Sequence, residues 1–278
     1  MISESIYKNI NRKKNIINDV VIIDDIPLFS WVEVNVNDLC NRSCVFCPRG
    51  NGYLNTNNHI SKQLVKKISN ELKHLEFTGI INISGSGEAL LTKHIVDNVE
   101  IFGKNNLNIE ITTNGDRLTV EKIKDLYAAG LKYLIVSMYD GPDQIAFFND
   151  LFKQANIHRD LYILRDRWYS KEEDYGLMLT NRAGFIKSKI KNTNRKCFYP
   201  HHALYVDWNG DILLCCHDMY NKSIVFGNAN DSTLFELWKN KKLIEYRKKL
   251  KLGDRSLSPC ITCDVDGCIV GEEHAKLW

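Results

Sequence analysis

The chain has 278 residues, of which 44% are hydrophobic and 26% are charged, and its formal net charge at pH 7 is +3. This composition is ordinary for a globular protein, and the chain is long enough for one large core with a small additional module. Its net charge is weak, so we do not expect nucleic acid or an anionic membrane as a partner. The apolar run at residues 20–23 is far too short to span a bilayer, and the polar opening does not resemble a secretory signal, so we expect a cytoplasmic protein.

The first part of the chain predicts alternating strands and helices. Residues 1–30 are charged and weakly patterned, and we expect a partly ordered lead-in there. Strands are expected at residues 31–37, 79–84, 108–113, 132–139 and 160–165. Helices are expected at residues 60–75 (with Ser61 as N-cap), 94–102, 120–129 and 144–154. This alternation is typical of βα units on a parallel sheet, so the prediction is an α/β fold with a partial (β/α)6 TIM-like barrel over residues 31–190.

The pattern changes after about residue 190. Residues 202–207 and 211–214 read as the strands of a β-hairpin, joined through the Asn209-Gly210 turn. A helix is expected over residues 233–250, followed by a loop rich in cysteine and glycine. We therefore expect a small α+β module over residues 191–278.

The nine cysteines indicate metal sites rather than disulfides, because their number is odd, their spacing is tight and no export signal precedes them. They fall into two groups, separated by a long stretch without cysteine. The groups are Cys40, Cys44 and Cys47, and Cys197, Cys215, Cys216, Cys260, Cys263 and Cys268. Two separate metal sites follow from this layout.

The first group, Cys40-x3-Cys44-x2-Cys47, lies on a loop directly after the first predicted strand. Four thiolates normally close a four-iron cluster, so three of them leave one iron open to another ligand. A zinc site would need a fourth ligand at short range, and no cysteine or histidine lies between Cys47 and His59. A structural zinc knuckle and three unrelated thiols remain alternatives.

With Phe46 before its last cysteine, this loop resembles the signature of the radical S-adenosylmethionine superfamily. The residues after later strands extend the resemblance. In the segment Gly85-Ser86-Gly87-Glu88, the resemblance implies that Glu88 binds the methionine ammonium. It also implies that Gly85 and Gly87 let the backbone approach the cofactor. It also implies cofactor contacts from the following residues: Phe46, Thr113, Asn114, Ser137 and Arg165. Arg165 is the expected partner of the carboxylate.

The resemblance also implies the chemistry. A one-electron reductant such as flavodoxin or ferredoxin would reduce the cluster, and cleavage of S-adenosylmethionine would give a 5′-deoxyadenosyl radical that abstracts hydrogen from a small-molecule substrate.

The second group of cysteines resembles the auxiliary-cluster module called SPASM, or its shorter twitch form. Cys197, the segment Gly210-x4-Cys215 and the pair Cys260-x2-Cys263 carry this resemblance. It implies a second 4Fe-4S cluster held by Cys197, Cys215, Cys260 and Cys263. Zinc at the same four cysteines remains an alternative that spacing does not exclude, and Cys216 and Cys268 are left over.

The cysteine spacing is similar to that of twitch-domain aminocyclitol dehydrogenases, so we expect oxidation of a carbohydrate, cyclitol or nucleotide-linked sugar carbon. Arg182 and His217 are candidate bases, as is Asp218. A radical epimerase is an alternative, with Cys268 as its hydrogen donor. Peptide modification is another, although residues 1–30 are too short for the peptide-binding domain usual in such enzymes. A non-catalytic iron–sulfur carrier is the third.

Overall fold

The alternation of strands and helices builds one continuous sheet in the computed structural model, which describes residues 4–168, 180–186 and 195–278. Within these residues the strands are β1 (Ile22–Ile23), β2 (Ile26–Pro27), β3 (Trp31–Val34), β4 (Ile80–Ile83), β5 (Asn108–Thr113), β6 (Tyr133–Met138), β7 (Tyr162–Asp166), β8 (Ala203–Val206), β9 (Asp211–Leu213) and β10 (Val225–Asn228). The α-helices are α1 (Glu4–Ile17), α2 (Lys62–His74), α3 (Ile95–Gly103), α4 (Val120–Ala128), α5 (Asp143–Gln154), α6 (Tyr199–His202), α7 (Leu234–Trp238), α8 (Lys241–Lys251) and α9 (Glu272–Leu277).

The main sheet has eight strands in the order β10-β9-β8-β3-β4-β5-β6-β7. Strands β3 to β7 are parallel, as the alternation with helices predicted. The expected hairpin forms as β8 and β9, and β8 also pairs in parallel with β3. The hairpin module therefore continues the barrel sheet beyond its first strand. The expected boundary between residues 190 and 191 lies outside the described residues, and the division into domains stays a prediction.

One face of the sheet is apolar and packs against the helices. Val32 and Val34 on β3 and Ile81 and Ile83 on β4 have no measurable solvent exposure, and they belong to one large hydrophobic cluster. Alternating side chains on a strand point to opposite faces, so this pattern leaves the opposite face to the residues in between. No helix among the described residues is long and apolar enough to cross a membrane.

The opposite face carries a polar row against which α1 lies. Strand register aligns Tyr205, Glu33, Asn82 and Glu110 across four neighbouring strands. Arg12 of α1 donates to Oε2 of Glu110 at 2.5 Å. The lead-in over residues 1–30 therefore includes a regular helix that contributes to the inside of the barrel.

Three further elements differ from their expected form. The first barrel strand ends at Val34 rather than at residue 37. The helix expected over residues 233–250 is two helices, because the Asn240 side chain accepts from the backbone N–H groups of Lys242 and Leu243 and starts α8 as a new N-cap. Strand β10 was not expected; it is short and contains Gly227 in a left-handed conformation, with φ of 121°.

Candidate active site

The first three cysteines gather on one tight loop after β3. The backbone N–H of Cys47 donates to the carbonyl of Cys44 at 2.9 Å. A Cβ at Gly50 would lie 2.4 Å from that same carbonyl oxygen, so the loop closes only with glycine there. Burial, and then the neighbouring thiols of Cys47 and Cys40, raise the pKa of Cys44 to about 11. One tight loop thus supplies three thiols that influence one another electrostatically, the number of ligands that a cluster with one open iron requires.

Arg42 fixes this loop to the ends of two strands. Its guanidinium binds the carboxylates of Asp116, after β5, and Asp140, after β6, both at 2.6 Å. Sequence reasoning did not identify Arg42, and no local pattern could have done so, because its partners are 74 and 98 residues away in the chain.

Arg49 joins the loop to the glycine-rich segment after β4. Its guanidinium pairs with Asp38 at 2.8 Å and donates to the carbonyl of Ser86 at 2.8 Å. Both members of this ion pair are buried, so removing one would leave an uncompensated charge. Arg49 was also missed from the sequence.

Gly85 and Gly87 are required by two asparagines. A Cβ on Gly85 would lie 2.2 Å from Oδ1 of Asn35, and one on Gly87 would lie 1.9 Å from Oδ1 of Asn37. Asn37 donates to the carbonyl of Glu88 at 2.8 Å, so it holds the end of this segment. Close approach of the cofactor to the glycines stays a prediction, while their close approach to Asn35 and Asn37 is observed.

Glu88 is a buried carboxylate that is oriented by hydrogen bonds. It accepts from Oγ1 of Thr113 at 2.5 Å and from the backbone N–H groups of Asn114 at 2.7 Å and Leu90 at 3.0 Å. Burial raises its pKa, although these hydrogen bonds act in the opposite direction. No lysine or arginine among the described residues forms an ion pair with it. The predicted residues Glu88, Thr113 and Asn114 therefore form one group, which suits the binding of an ammonium group.

Ser137, Arg165 and Phe46 form a second group around Tyr139. Arg165 donates to Oγ of Ser137 at 2.6 Å, and the two residues are direct neighbours across β6 and β7. The ring of Phe46 stacks on Tyr139 with 5.5 Å between centroids. Burial raises the pKa of Tyr139 and the nearby Arg165 lowers it. Tyr139, which ended a predicted strand, had not been assigned to the site.

The second cysteine set surrounds a cavity. Cys197, Cys215, Cys260 and Cys263 all line it, although they come from three separate parts of the chain. No group of three histidine, cysteine or acidic side chains among the described residues is arranged to hold a single metal ion. The four predicted auxiliary ligands therefore share one cavity.

Arg255 provides a positive charge beside these thiols. It is buried and donates to four backbone carbonyls, among them those of Cys263 and Val265. Burial raises the pKa of Cys197 to about 11, and Arg255 opposes that rise. A cationic group favours the thiolate form that binds metal. Nothing in the local sequence distinguished Arg255 from the surface cations of the preceding helix.

The candidate catalytic residues occupy different places. Nη1 of Arg182 lies 3.5 Å from Nδ1 of His217, and His217 lines the cysteine cavity. Burial lowers the pKa of His217 to about 3, with a further contribution from Arg182.

Cys268 is exposed, and its thiol donates to the carbonyl of Lys196 at 2.9 Å. Asp218 is buried, and its carboxylate accepts from the backbone N–H of Ser223. The assignment of catalytic roles to these residues stays a prediction.

A contact connects the cluster loop (residues 40–47) to the segment that follows the auxiliary cysteine Cys215. Sγ of Cys47 lies 3.5 Å from the hydroxyl of Tyr220, which follows the auxiliary cysteine Cys215 by five residues. Burial lowers the pKa of Arg182, but Tyr220, Cys216 and Cys47 outweigh this and raise it. Tyr220 therefore joins the cluster loop to the segment that follows Cys215, and Arg182 lies within electrostatic range of cysteines from both groups.

Two family models match this chain. The model of the radical SAM superfamily matches residues 34–161, and that of the iron–sulfur cluster-binding domain SPASM matches residues 197–264. The chain is also 30% identical, over 247 residues, to the S-adenosyl-L-methionine-dependent 2-deoxy-scyllo-inosamine dehydrogenase of Niallia circulans. That alignment covers 85% of this chain and 93% of the relative.

Solved structures agree with these matches. The crystal structure of BtrN in complex with AdoMet and 2-DOIA has a TM-score of 0.74 and 28% identity, covering 86% of this chain and 94% of that one. SuiB of Streptococcus suis, bound to the precursor peptide SuiA, has a TM-score of 0.52 and 14% identity, covering 94% of this chain and 74% of that one. The likeness to SuiB concerns the fold alone. The expected fold class, a partial TIM-like barrel followed by an auxiliary module, is confirmed.

Proposed function

This chain belongs to the radical SAM superfamily, and we propose that it oxidises a carbon of a cyclitol, a carbohydrate or a nucleotide-linked sugar. Its radical SAM domain binds S-adenosylmethionine and a 4Fe-4S cluster, and its SPASM domain binds auxiliary iron–sulfur clusters. The observation that carries the proposal is the contact of Cys47, on the cluster loop, with Tyr220, five residues after Cys215. A substrate between two redox centres can lose a hydrogen atom at one and an electron at the other.

When bound, the cofactor and its cluster supply a hydrogen-abstracting radical. The residues of this chain hold the cofactor in place. We assign the cluster to Cys40, Cys44 and Cys47, the methionine ammonium to Glu88, and its carboxylate to Arg165. Hydrogen bonds within the protein orient the side chains of Glu88 and Arg165, and such ordering lowers the cost of binding a ligand there.

Oxidation of an alcohol to a ketone also releases a proton, and we propose His217 as its acceptor. The lowered pKa of His217, about 3, leaves the imidazole unprotonated with a free lone pair, and it also makes this imidazole a weak base, so the proposed transfer depends on the acidity that the substrate hydroxyl gains once its carbon is a radical. Arg182 is a poor base, because its raised pKa keeps the guanidinium protonated. We therefore assign Arg182 the role of a hydrogen-bond donor.

The auxiliary 4Fe-4S cluster is assigned to the four cysteines that line the cavity, and the reductant is proposed to be a flavodoxin or ferredoxin. A cytoplasmic location suits the nine free cysteines, since thiols stay reduced there. The alternative in which Cys268 donates hydrogen to a substrate radical has less support, because that thiol is exposed and does not line the cavity.

The test is anaerobic turnover of the reconstituted enzyme with dithionite, S-adenosylmethionine and a panel that includes 2-deoxy-scyllo-inosamine, free cyclitols, sugar phosphates and nucleotide-linked sugars. We expect one substrate to yield a ketone with one 5′-deoxyadenosine per product, measured by mass spectrometry. A product at the same oxidation level as its substrate would contradict the proposal.

A further inference from the structure

Two ion pairs lie at the two ends of a chain of hydrogen bonds between the SPASM region (residues 197–264) and the barrel. In the SPASM region, Nζ of Lys222 lies 2.5 Å from Oδ2 of Asp207. Beside the cluster loop, the second pair joins Arg49 to Asp38. Asp207, Asp38 and Arg49 are buried, whereas the Lys222 side chain is 27% exposed. Loss of the lysine would leave a buried carboxylate without an ion-pair partner among the described residues.

Two buried polar side chains connect these ion pairs. Nδ2 of Asn35, one residue after β3, donates to Oδ1 of Asp207 at 2.7 Å and to Oγ of Ser86 at 3.0 Å. The hydroxyl of Ser86 then donates to Oδ1 of Asp38 at 3.0 Å. Asn35 and Ser86 are both buried, where a polar group without a partner would be costly. The chain of contacts therefore runs without a break from one ion pair to the other.

Asp207 determines which way the amide of Asn35 points. A carboxylate only accepts hydrogen bonds, so it faces the NH2 end of the amide and leaves the carbonyl end toward Gly85. Oδ1 of Asn35 is the atom that a Cβ at Gly85 would meet at 2.2 Å. The glycine-rich segment that begins there ends at Glu88, to which the methionine ammonium is assigned. The placement of that segment thus depends on a carboxylate of the SPASM region.

Lys222 lies on a tight turn that is fixed to the auxiliary cysteines. Its backbone is left-handed, with φ of 46°, and its N–H donates to the carbonyl of Asp218 at 2.7 Å. The N–H of Asp218 donates to the carbonyl of Cys215 at 3.1 Å, and its carboxylate accepts from the N–H of Ser223 at 3.1 Å. Surface ion pairs contribute little, partly because two mobile side chains must be ordered. A lysine on a fixed turn, beside a buried carboxylate, has less freedom to lose.

We propose that Lys222 and Asp207 are positioning residues for the cofactor site. Through Asn35 and Ser86 they hold the glycine-rich segment in the position in which it binds S-adenosylmethionine. This inference rests on the assignment of the methionine ammonium to Glu88 under the proposed function. It gives the SPASM region a role in cofactor binding, in addition to holding its own cluster.

The test is anaerobic calorimetry of S-adenosylmethionine binding to the reconstituted holoenzyme. In Lys222→Met we expect the dissociation constant to rise about fivefold or more, because side chains within such networks change binding severalfold. Iron content should stay at the wild-type level, and Lys222→Arg, which keeps the charge, should restore most of the affinity. A purely structural role would lower the free energy of unfolding without changing the dissociation constant of the folded protein.

Lys276→Met is the matched control, because Lys276 pairs with Glu273 at 2.7 Å on the exposed surface of α9. Its affinity for S-adenosylmethionine should equal that of the wild type. Lys222→Gln, which keeps a hydrogen-bond donor, takes the place of Lys222→Met if the methionine variant does not retain its iron. Loss of iron from both of these Lys222 variants would assign the ion pair a structural role and overturn the inference.

A double-variant cycle tests the route through the side chains. Ser86→Ala removes the hydroxyl between Asn35 and Asp38, and it should by itself weaken binding of S-adenosylmethionine. If both substitutions break the same chain of contacts, Ser86→Ala with Lys222→Met should lose less affinity than the product of the two separate losses. Losses that multiply, or unchanged affinity in Ser86→Ala, would overturn the inference.

Comparison with Glu88→Gln separates this inference from the function on which it rests. Unchanged affinity in an iron-replete Lys222 variant, or an equal loss in Lys276→Met, overturns the positioning role alone if Glu88→Gln weakens binding as expected. The dehydrogenase proposal then stays intact. Unchanged affinity in Glu88→Gln would instead contradict the assignment of the cofactor site, and with it the positioning role.

Discussion

The two cysteine sites differ in the length of sequence that separates their cysteines. Cys40, Cys44 and Cys47 lie within one loop and are all partly exposed, whereas the auxiliary set runs from Cys197 to Cys263 and includes the buried Cys260 and Cys263. Three thiols on one loop leave a coordination position open, as a catalytic centre requires. Four thiols from three parts of the chain enclose their cavity. The first site is therefore defined by local sequence, and the second depends on the folded module.

The neighbouring charges differ in the same way. At the first site Arg42 and Arg49 form ion pairs with Asp116, Asp140 and Asp38, and so fix the loop. At the auxiliary site Arg255 donates, among the residues that the structure describes, to four backbone carbonyls and forms no ion pair with them. The comparison suggests that the first site needs a rigid position for its cofactor, while the second needs positive charge for its thiolates.

The largest expected effect separates the two sites directly. Replacing Cys40, Cys44 and Cys47 with alanine should lower the iron content from about eight to about four per chain and abolish cleavage of S-adenosylmethionine. The matched variant, Cys260→Ala with Cys263→Ala, should lose the same amount of iron but retain cleavage. Iron analysis and measurement of 5′-deoxyadenosine check both. One zinc ion in place of the second four irons would refute the assignment of the auxiliary cluster.

A smaller effect is expected at Glu88. Glu88→Gln keeps the size of the side chain but removes the charge that is proposed to face the methionine ammonium. Loss of a hydrogen bond to a charged group costs about 1.5–3 kcal/mol, so affinity for S-adenosylmethionine should fall about tenfold or more. Calorimetry of the reconstituted protein measures this, with Glu100→Gln on the exposed side of α3 as the control. An unchanged dissociation constant would place the ammonium elsewhere.

The contact between barrel and module should be sensitive to acid. Nε2 of His274 lies 2.6 Å from Oγ of Ser30, and Nδ1 of His202 lies 2.8 Å from the carbonyl of Phe198. Burial lowers the pKa of His202 to about 3 and that of His274 to about 4. Because the unfolded chain binds these protons near pH 6.5 and the folded chain does not, stability is fully present above that pH and falls below it, by up to about 1.4 kcal/mol per pH unit for each histidine.

Denaturant unfolding between pH 7.5 and 5 checks this expectation. His202→Gln cannot take up the proton, so its stability should depend less steeply on pH than that of the wild type. His94→Gln, an exposed histidine before α3, should keep the wild-type slope. Identical slopes in His202→Gln and the wild type would show that His202 is not the group responsible.

The smallest effect is expected at Cys268. Because this thiol is exposed and outside the cavity, Cys268→Ala should keep both clusters and full turnover. Turnover in deuterated water should leave no new carbon-bound deuterium in the product of a dehydrogenase. Deuterium that enters the product only when Cys268 is present would instead favour the epimerase.

The sequence by itself determined the parallel strands, the hairpin and the first cysteine site. Hydrophobic periodicity and local turn residues encode such features within short segments of the sequence. Ser61 is an example, because its side chain accepts from the backbone N–H of Leu64 and caps α2 as predicted. The spacing of the later cysteines also indicated the second site, but not which metal it would hold. Arrangement of four thiols around a cavity is a property of the fold, while the iron–sulfur assignment follows from the match to the SPASM domain.

Tertiary structure alone decided how these pieces meet. Helix α1 lies in a segment whose charged residues gave no clear pattern, because Arg12 is matched by Glu110, a partner 98 residues away. The long helix expected over residues 233–250 is two helices, because Asn240 lies inside that span and its side chain caps the N-terminus of α8. Arg42, Arg49, Tyr139 and Arg255 were not recognised, since each contacts groups that no local sequence pattern connects to it. Local propensity encodes elements, whereas pairing of distant charges depends on the complete fold. For that reason the sequence indicated the cofactors, while the ion pairs that fix the cluster loop became evident only in the structure.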